Sequence, residues 1–275
     1  MRPINEQTIL ITGATDGLGR ALAGELAAAG ATVLVHGRDE ARGRATVQEL
    51  MDASGNDRVH WMRADFASLD EVRGLADQVI AEYDELHGLV NNAGIGTTLP
   101  GEGRRMLSED GFELRFAVNY LAGYLLTRRL LPELIKSAPA RIVSVSSAGQ
   151  APIYFADLML EHHYDPVQAY CQSKLAQVMM TFDLAEELDP GTVTANCLHP
   201  GTFMPTKMVL AAGVTPVSTL EDGVSATLRL VADPELDGVS GRYFNGVREA
   251  EPHPQARDPE ARRRLRELTD QLCGL

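Results

Sequence analysis

Short apolar segments alternate with longer amphipathic stretches along most of the chain. The short segments are rich in β-branched residues and lack a strict apolar–polar alternation, which is typical of strands buried on both faces of a sheet. This pattern predicts strands over residues 8–12, 32–36, 59–64, 87–92, 141–146 and 192–198.

The stretches between these strands carry apolar residues at helical spacing and predict helices. Gly30 stands where a helix-ending glycine is expected, and Ser68 with Glu71 has the spacing of a capping box. Residues 256–275 predict a C-terminal surface helix with a stripe of leucines and with its arginines in water. The other main helices are predicted over residues 18–30, 39–53, 68–83, 109–137 and 169–188.

The order of these elements predicts an α/β fold of the Rossmann type. Alternating strand–helix units build a doubly wound parallel sheet with right-handed crossovers and helices on both faces. We expect about seven strands in this sheet. No long linker, repeat or low-complexity tract divides the 275 residues, so we predict a single domain over residues 1–275.

Composition and charge narrow the classes of function. The net charge of −13 disfavours nucleic-acid binding, because an acidic surface repels a phosphate backbone. Cys171, Cys197 and Cys273 are scattered, which predicts reduced thiols rather than disulfides or a zinc site. His162 and His163 are adjacent in sequence and predict loop histidines rather than ligands, so no metal is expected.

Hydropathy predicts a cytoplasmic protein with no membrane partner. No apolar run reaches the roughly 18 residues that a membrane span needs. The strongest candidate, residues 120–135, is interrupted by Arg128 and Arg129. Polar side chains also stand near the start of the chain, where a signal peptide is apolar.

The segment "TGATDGLG", residues 12–19, predicts a dinucleotide-binding loop. It follows the first strand and opens the first helix, where free backbone N–H groups attract phosphate. Gly13 permits a tight turn, Gly17 a close approach of the backbone to a ligand, and Gly19 tight helix–strand packing. An ordinary glycine-containing turn is the alternative, since the spacing differs from G-x-G-x-x-G.

The end of the second strand indicates which dinucleotide is bound. A carboxylate there hydrogen-bonds the ribose 2′-hydroxyl of NAD, whereas an arginine suits the 2′-phosphate of NADP. Gly37 leaves the acidic position empty and Arg38 follows it, with Arg42 and Arg44 nearby. NADP is therefore favoured, although Asp16 stands where a second basic residue would strengthen the case.

Taken with "NNAG" at 91–94 and "YCQSK" at 170–174, the glycine loop makes the chain resemble the short-chain dehydrogenase/reductase family over residues 7–245. The segments "VNYLAGYLLT", "RIVSVSS" and "SGRYFNG" resemble its retinol-dehydrogenase-like branch. The resemblance implies an NADP-dependent oxidoreductase whose small-molecule substrate is an alcohol or the corresponding aldehyde or ketone.

The resemblance also implies four catalytic residues: Asn119, Ser147, Tyr170 and Lys174. Free tyrosine has a pKa of about 10, which is high for acid–base work near neutrality. Lys174 follows Tyr170 by one helical turn, and its positive charge is expected to lower the pKa of the tyrosine. Ser147 can donate a hydrogen bond to the same substrate oxygen. Asn119 is expected to hold a water molecule beside Lys174.

Further positions match cofactor contacts of the family. Asp65 and Phe66 correspond to the residues that bracket the adenine, although Asp65 alternatively only caps the next helix. Thr202 or Thr206 is expected at the nicotinamide. The full set of expected cofactor residues is Gly13, Thr15, Asp16, Gly17, Leu18, Gly19, Arg38, Asp65, Phe66, Asn92, Ala93, Gly94, Tyr170, Lys174, Pro200, Gly201 and Thr202.

Residues 151–168 form an insertion between Ser147 and Tyr170. Because catalytic residues anchor both of its ends, we expect the insertion to wall the substrate pocket. Its candidate substrate contacts are Tyr154, Phe155 and Met159. A surface excursion packed away from the pocket is the alternative. Residues 203–217 are expected to form a second, mobile segment near the substrate.

Other functions on related folds remain alternatives. A non-catalytic NADP-binding sensor or scaffold has the same fold, but such proteins typically lose the tyrosine or the lysine of the catalytic pair. A sugar-nucleotide epimerase or dehydratase needs a larger C-terminal domain than follows residues 199–201, and a methyltransferase has no use for Tyr-x-x-x-Lys. The family resemblance further suggests a homodimer or homotetramer formed through helices 109–136 and 166–188.

Overall fold

The computed structural model describes residues 2–98 and 101–275, which fold around one eight-stranded sheet. Its strands are β1 (Thr8–Ile11), β2 (Thr32–Gly37), β3 (Val59–Arg63), β4 (Gly88–Asn91), β5 (Ala140–Val145), β6 (Val193–His199), β7 (Tyr243–Asn245) and β8 (Arg248–Glu249). The spatial order is β3-β2-β1-β4-β5-β6-β7-β8, with β1 to β7 parallel and β8 antiparallel to β7. All six strands named from the sequence are confirmed. The two-residue β8 is an addition, formed where the chain turns back at Gly246.

Helices cover both faces of this sheet, as the sequence predicts. They are α1 (Gly17–Ala28), α2 (Glu40–Ser54), α3 (Leu69–Glu82), α4 (Leu114–Phe116), α5 (Ala122–Lys136), α6 (Pro166–Glu187), α7 (Lys207–Ala211), α8 (Leu220–Ala232) and α9 (Pro259–Cys273). One apolar core lies beneath α1, α2 and α8, and a second beneath α3, α5, α6 and α9. The doubly wound Rossmann-type fold is therefore confirmed. Among the helices of the described ranges, none has the length and apolar character required to cross a membrane.

Two details of the predicted helices are wrong. The helix expected over 109–137 begins only at Leu114 and passes through a π-helical turn, Ala117–Leu121, before α5. Ser68 and Glu71 do not form a capping box, because Glu71 accepts a hydrogen bond from the Asp65 amide instead. The first amide of α3 donates to Asp110, which is distant in sequence. Gly30 has the left-handed backbone expected of a residue that ends a helix.

The C-terminal helix α9 is less exposed than the sequence suggests. Residues at four-residue spacing along it are buried, and Arg262 is buried with them because it pairs with Asp183 and Glu186 of α6. Tyr120 and Tyr124 hydrogen-bond Thr269 and Asp270 of the same helix. Helix α9 thus occupies part of the surface of the two helical segments through which a homo-oligomer is predicted. Whether the chain forms an oligomer stays a prediction.

The sheet's topology brings two loops together at its centre. The chain leaves β1 toward one face and β4 toward the other, which opens a crevice at the carboxyl ends of these neighbouring strands. The Thr12 hydroxyl accepts hydrogen bonds from the amides of Asn92 and Ala93, both at 2.9 Å. This hydroxyl therefore ties the loop after β4 to the glycine loop after β1.

His36 ties the end of β2 to the same region. Its Nδ1 accepts a hydrogen bond from the Gly13 amide at 3.2 Å, and its Nε2 lies 3.1 Å from the Ala64 carbonyl. These two bonds require the neutral tautomer with hydrogen on Nε2. Burial lowers the pKa of His36 to about 4, and the ring stacks on Phe66 at 4.3 Å. The neutral His36 ring thus connects the glycine loop to the residue that follows β3 through these two hydrogen bonds.

Two helix glycines provide a matched test of the packing between α2 and β3. A methyl group at Gly43 would overlap the Trp61 ring, whereas one at Gly74 meets nothing within 4 Å. We predict that Gly43→Ala lowers the free energy of unfolding by about 1–3 kcal/mol through overpacking. Gly74→Ala should raise it by up to about 1 kcal/mol, because alanine favours a helix. Urea denaturation of both variants measures this difference, and equal effects would contradict the packing described here.

A second prediction concerns acid stability. Because the His36 pKa is lower in the folded than in the unfolded chain, the unfolded chain binds more protons below pH 6.5. The stability that depends on neutral His36 is complete above pH 6.5 and falls by up to about 3 kcal/mol as the pH approaches 4. Denaturation at several pH values should give His36→Gln a shallower loss than the wild type. His162→Gln, at an exposed loop histidine, is the control and should retain the wild-type slope.

Candidate active site

A cavity of about 870 Å³ opens at the carboxyl ends of the parallel strands. It is lined by the glycine loop, by the ends of β2 to β5, by the start of α6 and by the segment that follows β6. All 17 residues expected to bind the cofactor lie on its wall, and so do Ser147, Tyr170 and Lys174. Asn119, Tyr154, Phe155 and Met159 do not line it.

Three positions of the glycine loop require glycine, because a side chain there would clash or the backbone is left-handed. Gly13 has φ +66°, and a methyl group on it would lie 2.8 Å from Ala93 Cα. Gly17 has φ +52°, which L-residues with side chains rarely adopt. A methyl group on Gly19 would lie 2.5 Å from the Gly13 carbonyl. The loop therefore brings bare backbone to the start of α1, and this fits a dinucleotide pyrophosphate.

Asp16, in the middle of this loop, has its negative charge compensated by a hydrogen bond and an ion pair. Its carboxylate accepts a hydrogen bond from the Gly17 amide at 2.8 Å and forms an ion pair with Lys207 of α7. These partners outweigh its partial burial and lower the pKa of Asp16. Thr206 also contacts the loop, since its Cγ2 lies 3.3 Å from where a Gly17 methyl group would be. The segment after β6 thus lies against the glycine loop.

The other end of the cavity is built from the ends of β2 and β3. At Gly37, a methyl group would lie 2.8 Å from Thr15 Cγ2 and 3.1 Å from the Trp61 ring, so no larger side chain fits there without movement. Arg38 is exposed on the cavity rim, and its Nη1 lies 3.7 Å from Asp65 Oδ2. Asp65 also accepts from the Ala67 amide at 3.0 Å, which closes a turn and does not cap α3.

Tyr170, Ser147 and Lys174 converge on one part of the cavity. Ser147 follows β5, and the other two lie one turn apart on α6. Ser147 Oγ and Tyr170 Cε1 lie 3.5 and 3.9 Å from the position that a Gly149 methyl group would take, so the two side chains are neighbours. Burial is the main cause of the raised pKa of Tyr170, and the nearby Ser147 side chain partly offsets it. The Lys174 ammonium lies 5.8 Å from the centre of the Tyr170 ring.

Lys174 is more deeply buried than its predicted role suggests. Its Nζ donates to the Val145 carbonyl at 3.0 Å and to Gln177 Oε1 at 2.9 Å. Burial lowers the pKa of Lys174 to about 7, because the charged form loses its hydration. Burial also raises the pKa of Tyr170, and the lowering of that pKa by Lys174 stays a prediction.

The side chain of Asn119 forms hydrogen bonds to the backbone of the loop that follows β4. Its Oδ1 accepts from the Ile95 amide at 2.8 Å, and its Nδ2 donates to the Ile95 carbonyl at 3.1 Å and to Ser173 Oγ at 2.9 Å. Both amide hydrogens are thereby used. Asn119 Oδ1 and Lys174 Nζ lie 3.3 and 3.5 Å from the position that a Gly94 methyl group would take. The two side chains thus flank Gly94.

The insertion 151–168 does not wall the cavity with the three predicted side chains. Tyr154 is 55% exposed, and Phe155 packs beneath the Arg264 guanidinium of α9 at 4.6 Å. The Met159 sulfur accepts from the Glu113 amide at 3.4 Å. The contacts of Phe155 and Met159 hold these two side chains away from the cavity, and Tyr154 lies in solvent. The segment packs against α9 and residues 105–113, as in the alternative, and the expectation that the three side chains contact substrate stays a prediction.

The segment 203–217 lies where it is expected, although part of it is helical. Helix α7 occupies its centre and contributes Lys207, Met208 and Val209 to the cavity wall. Phe203 and Leu210 are exposed apolar side chains of the same segment. Thr202 lines the cavity while its hydroxyl lies 3.0 Å from His199 Nε2.

Several residues that shape the cavity were not predicted. His36 is a polar residue inside an apolar strand beside the glycine loop, and this position in the sequence is the signal that could have identified it. Tyr243 donates to the Ser147 carbonyl at 3.1 Å, and Lys207 pairs with Asp16. The residues that neighbour Tyr243 and Lys207 in sequence do not predict either contact. Within residues 2–98 and 101–275, no group of three or more His, Cys, Asp or Glu is arranged to hold a metal ion.

Comparison with known proteins agrees with this geometry. The family model described as short chain dehydrogenase matches residues 7–214. Retinol dehydrogenase 13 of Mus musculus is 37% identical over 98% of this chain and 84% of its own length, and polyprenol dehydrogenase of Mus musculus is 39% identical over 93% and 80%. A putative short chain dehydrogenase of Shigella flexneri, solved in complex with NADP, is 28% identical with a TM-score of 0.72, over 89% of this chain and 98% of that one. The chain is thus a member of the NAD(P)-dependent short-chain dehydrogenase/reductase family, of its retinol-dehydrogenase-like branch, whose enzymes act on CH–OH groups.

Proposed function

We propose that this enzyme interconverts an alcohol and the corresponding aldehyde or ketone, with NADP(H) as cofactor and Tyr170 as the acid and base. The observation that carries the proposal is that the Ser147 and Tyr170 side chains, with their two hydroxyls, lie side by side on the wall of the cavity that also contains the glycine loop. A substrate oxygen placed between these two hydroxyls lies in the same cavity as a dinucleotide bound at the start of α1.

Tyr170 supplies the proton in the direction of carbonyl reduction. A reduced nicotinamide, when bound, supplies the hydride to the carbonyl carbon. As negative charge builds on the oxygen, the neutral Tyr170 phenol donates its proton and Ser147 stabilises the charge by a hydrogen bond. Tyr170 is protonated at neutral pH, as carbonyl reduction requires, but burial raises its pKa, so the phenol is a weak proton donor unless a nearby positive charge lowers that pKa. Alcohol oxidation runs these steps in reverse and needs the tyrosinate.

Lys174 is suited to restoring the proton. With a pKa of about 7, it exchanges its proton readily at neutral pH. Its amine lies 5.8 Å from the Tyr170 ring centre, and we propose that an intervening hydroxyl group or water molecule relays the proton. Asn119 keeps the loop beside that path in place through its bonds to Ile95.

Three features of the adenosine side support NADP over NAD. Gly37 has no room for the carboxylate that binds the ribose 2′-hydroxyl of NAD. Arg38 is exposed on the rim and suits a 2′-phosphate. Lys207 neutralises Asp16, which removes the main argument against a phosphate at this end. A structural neighbour of this chain carries NADP in its crystals.

The substrate side is apolar, and we propose an apolar alcohol or carbonyl as the substrate class. The side chains of Ile95, Leu114, Val118, Met208 and Val214 line this part of the cavity. Two relatives are named for retinol and polyprenol, which are both apolar alcohols.

A cytoplasmic location of the enzyme also remains a proposal.

Removing the Tyr170 hydroxyl tests the proposed mechanism. Tyr170→Phe should lower kcat for carbonyl reduction by about 10²–10⁴-fold, because the general acid is lost. NADPH affinity, measured by fluorescence, should change little. Tyr83→Phe makes the same change at a tyrosine of the α3 end, outside the cavity, and should retain full activity.

The pH dependence gives an independent check of this assignment. Reduction should fall and alcohol oxidation should rise as the pH passes through the alkaline range where Tyr170 ionises. Undiminished turnover in Tyr170→Phe would contradict the mechanism. Tight NADPH binding with no turnover of any carbonyl by the wild type would favour the sensor or scaffold alternative instead.

Arg38 provides the test of cofactor choice. Arg38→Ala should raise the KM for NADPH by about 10–100-fold, because it removes charge-assisted hydrogen bonds to a 2′-phosphate. The KM for NADH should change little. Arg44→Ala is a matched control, since Arg44 is exposed, pairs with Glu40 and lies outside the cavity. A wild-type preference for NADH would contradict the NADP assignment.

A further inference from the structure

The cavity wall formed by Ile95, Gly96 and Thr97 is held by side chains rather than by secondary structure. Asn119 Nδ2 donates to the Ile95 carbonyl, Arg115 Nε to the Gly96 carbonyl and Arg115 Nη2 to the Thr97 carbonyl, at 3.1, 2.8 and 2.8 Å. Three successive carbonyl groups are thus fixed by two residues of the α4–π-helical segment. The position of this wall depends on the position of Arg115.

Arg115 is fully buried and belongs to a cluster of three polar side chains. Its Nη1 donates to the Tyr164 hydroxyl at 2.6 Å, and that hydroxyl donates to Glu113 Oε1 at 3.1 Å. The guanidinium and the Glu113 carboxylate are 3.8 Å apart, and both residues are about 99–100% buried. Glu113 also accepts from the Phe116 amide at 2.7 Å. Tyr164 thus bridges the buried charges.

Tyr164 belongs to the insertion and directly precedes Asp165, which caps α6. Its hydroxyl hydrogen-bonds Arg115, and Arg115 in turn hydrogen-bonds the carbonyls of the wall, so Tyr164 links the insertion to the wall. The bridge matters because a buried guanidinium is costly unless all its donors are satisfied. Without the Tyr164 hydroxyl, Nη1 loses its partner at 2.6 Å and retains only the more distant carboxylate. Relaxation of Arg115 toward Glu113 would then pull on the carbonyls of Gly96 and Thr97.

The wall faces the segment that closes the opposite side of the cavity. A methyl group on Gly96 would lie 2.5 Å from Met208 Cγ of α7. Movement of the wall therefore changes the width of the apolar end of the cavity, where Leu114 and Val118 also lie.

We propose that Tyr164 is a positioning residue for substrate: it sets the 95–97 wall through Arg115, so the insertion acts on specificity indirectly and not by contact. This inference rests on the proposed function, because specificity has meaning only if the cavity turns over a carbonyl. It assigns no role in proton transfer to Tyr164, which lies outside the cavity lining.

Tyr164→Phe removes one hydroxyl and tests the proposal with two readouts on the full chain. The first is hydrogen–deuterium exchange of a peptide that contains the Ile95 amide, which is bonded to Asn119. The second is steady-state reduction of a short and a bulky apolar aldehyde with NADPH. We expect at least about three-fold faster exchange, and a KM increase of about five-fold or more for the bulky aldehyde, with kcat changed less than about two-fold. NADPH affinity should be unchanged.

Tyr83→Phe is the matched control and should leave both readouts at wild-type values. Unchanged exchange in Tyr164→Phe would overturn the proposal whatever the activity. A larger KM change in Tyr154→Phe than in Tyr164→Phe would overturn it as well, since the insertion would then act by direct contact. Faster exchange in Tyr164→Phe, together with a wild type that binds NADPH and reduces neither aldehyde, supports the wall linkage and contradicts the proposed function instead.

Discussion

The close approach of the loops after β1 and β4 is the constraint on which the rest of the site depends. Gly13 lies against the Cα of Ala93, and the Asn92 side chain donates to the carbonyls of Thr12 and Gly13. A side chain at Gly13 would overlap Ala93, so sterics require glycine at this position. This contact places bare backbone N–H groups at the start of α1 and opens the crevice above the sheet.

Buried polar side chains then hold each irregular segment around the crevice. His36 fixes the glycine loop, Asn119 and Arg115 fix the wall after β4, and Tyr243 fixes the segment after β5. A backbone group that leaves the sheet and is shielded from water needs such a partner. The cavity is therefore preorganised by hydrogen bonds between distant parts of the chain. Ser147 and Tyr170, which we propose as catalytic residues, lie on its wall.

Features that depend on local sequence were predictable. The six strands, the glycine loop and the Tyr170–Lys174 pair follow from periodicity and from motifs of fixed spacing, and all of them lie where expected. Features that depend on distant partners were not. Phe155 is covered by Arg264 of α9, more than a hundred residues later, and nothing in the insertion's own sequence indicates that contact. The pKa of Tyr170 likewise depends on burial, which the i, i+4 spacing of the lysine does not report.

We propose that one cavity delivers hydride and proton to the same carbonyl group. Single-turnover oxidation of NADPH deuterated at its transferred position, followed in H₂O and in D₂O, tests this most directly. We predict a primary isotope effect from the deuterated cofactor and a solvent isotope effect on the same step in the wild type. The solvent isotope effect should be absent in Tyr170→Phe. An isotope effect from the cofactor with no solvent effect in the wild type would contradict proton donation by Tyr170 in that step.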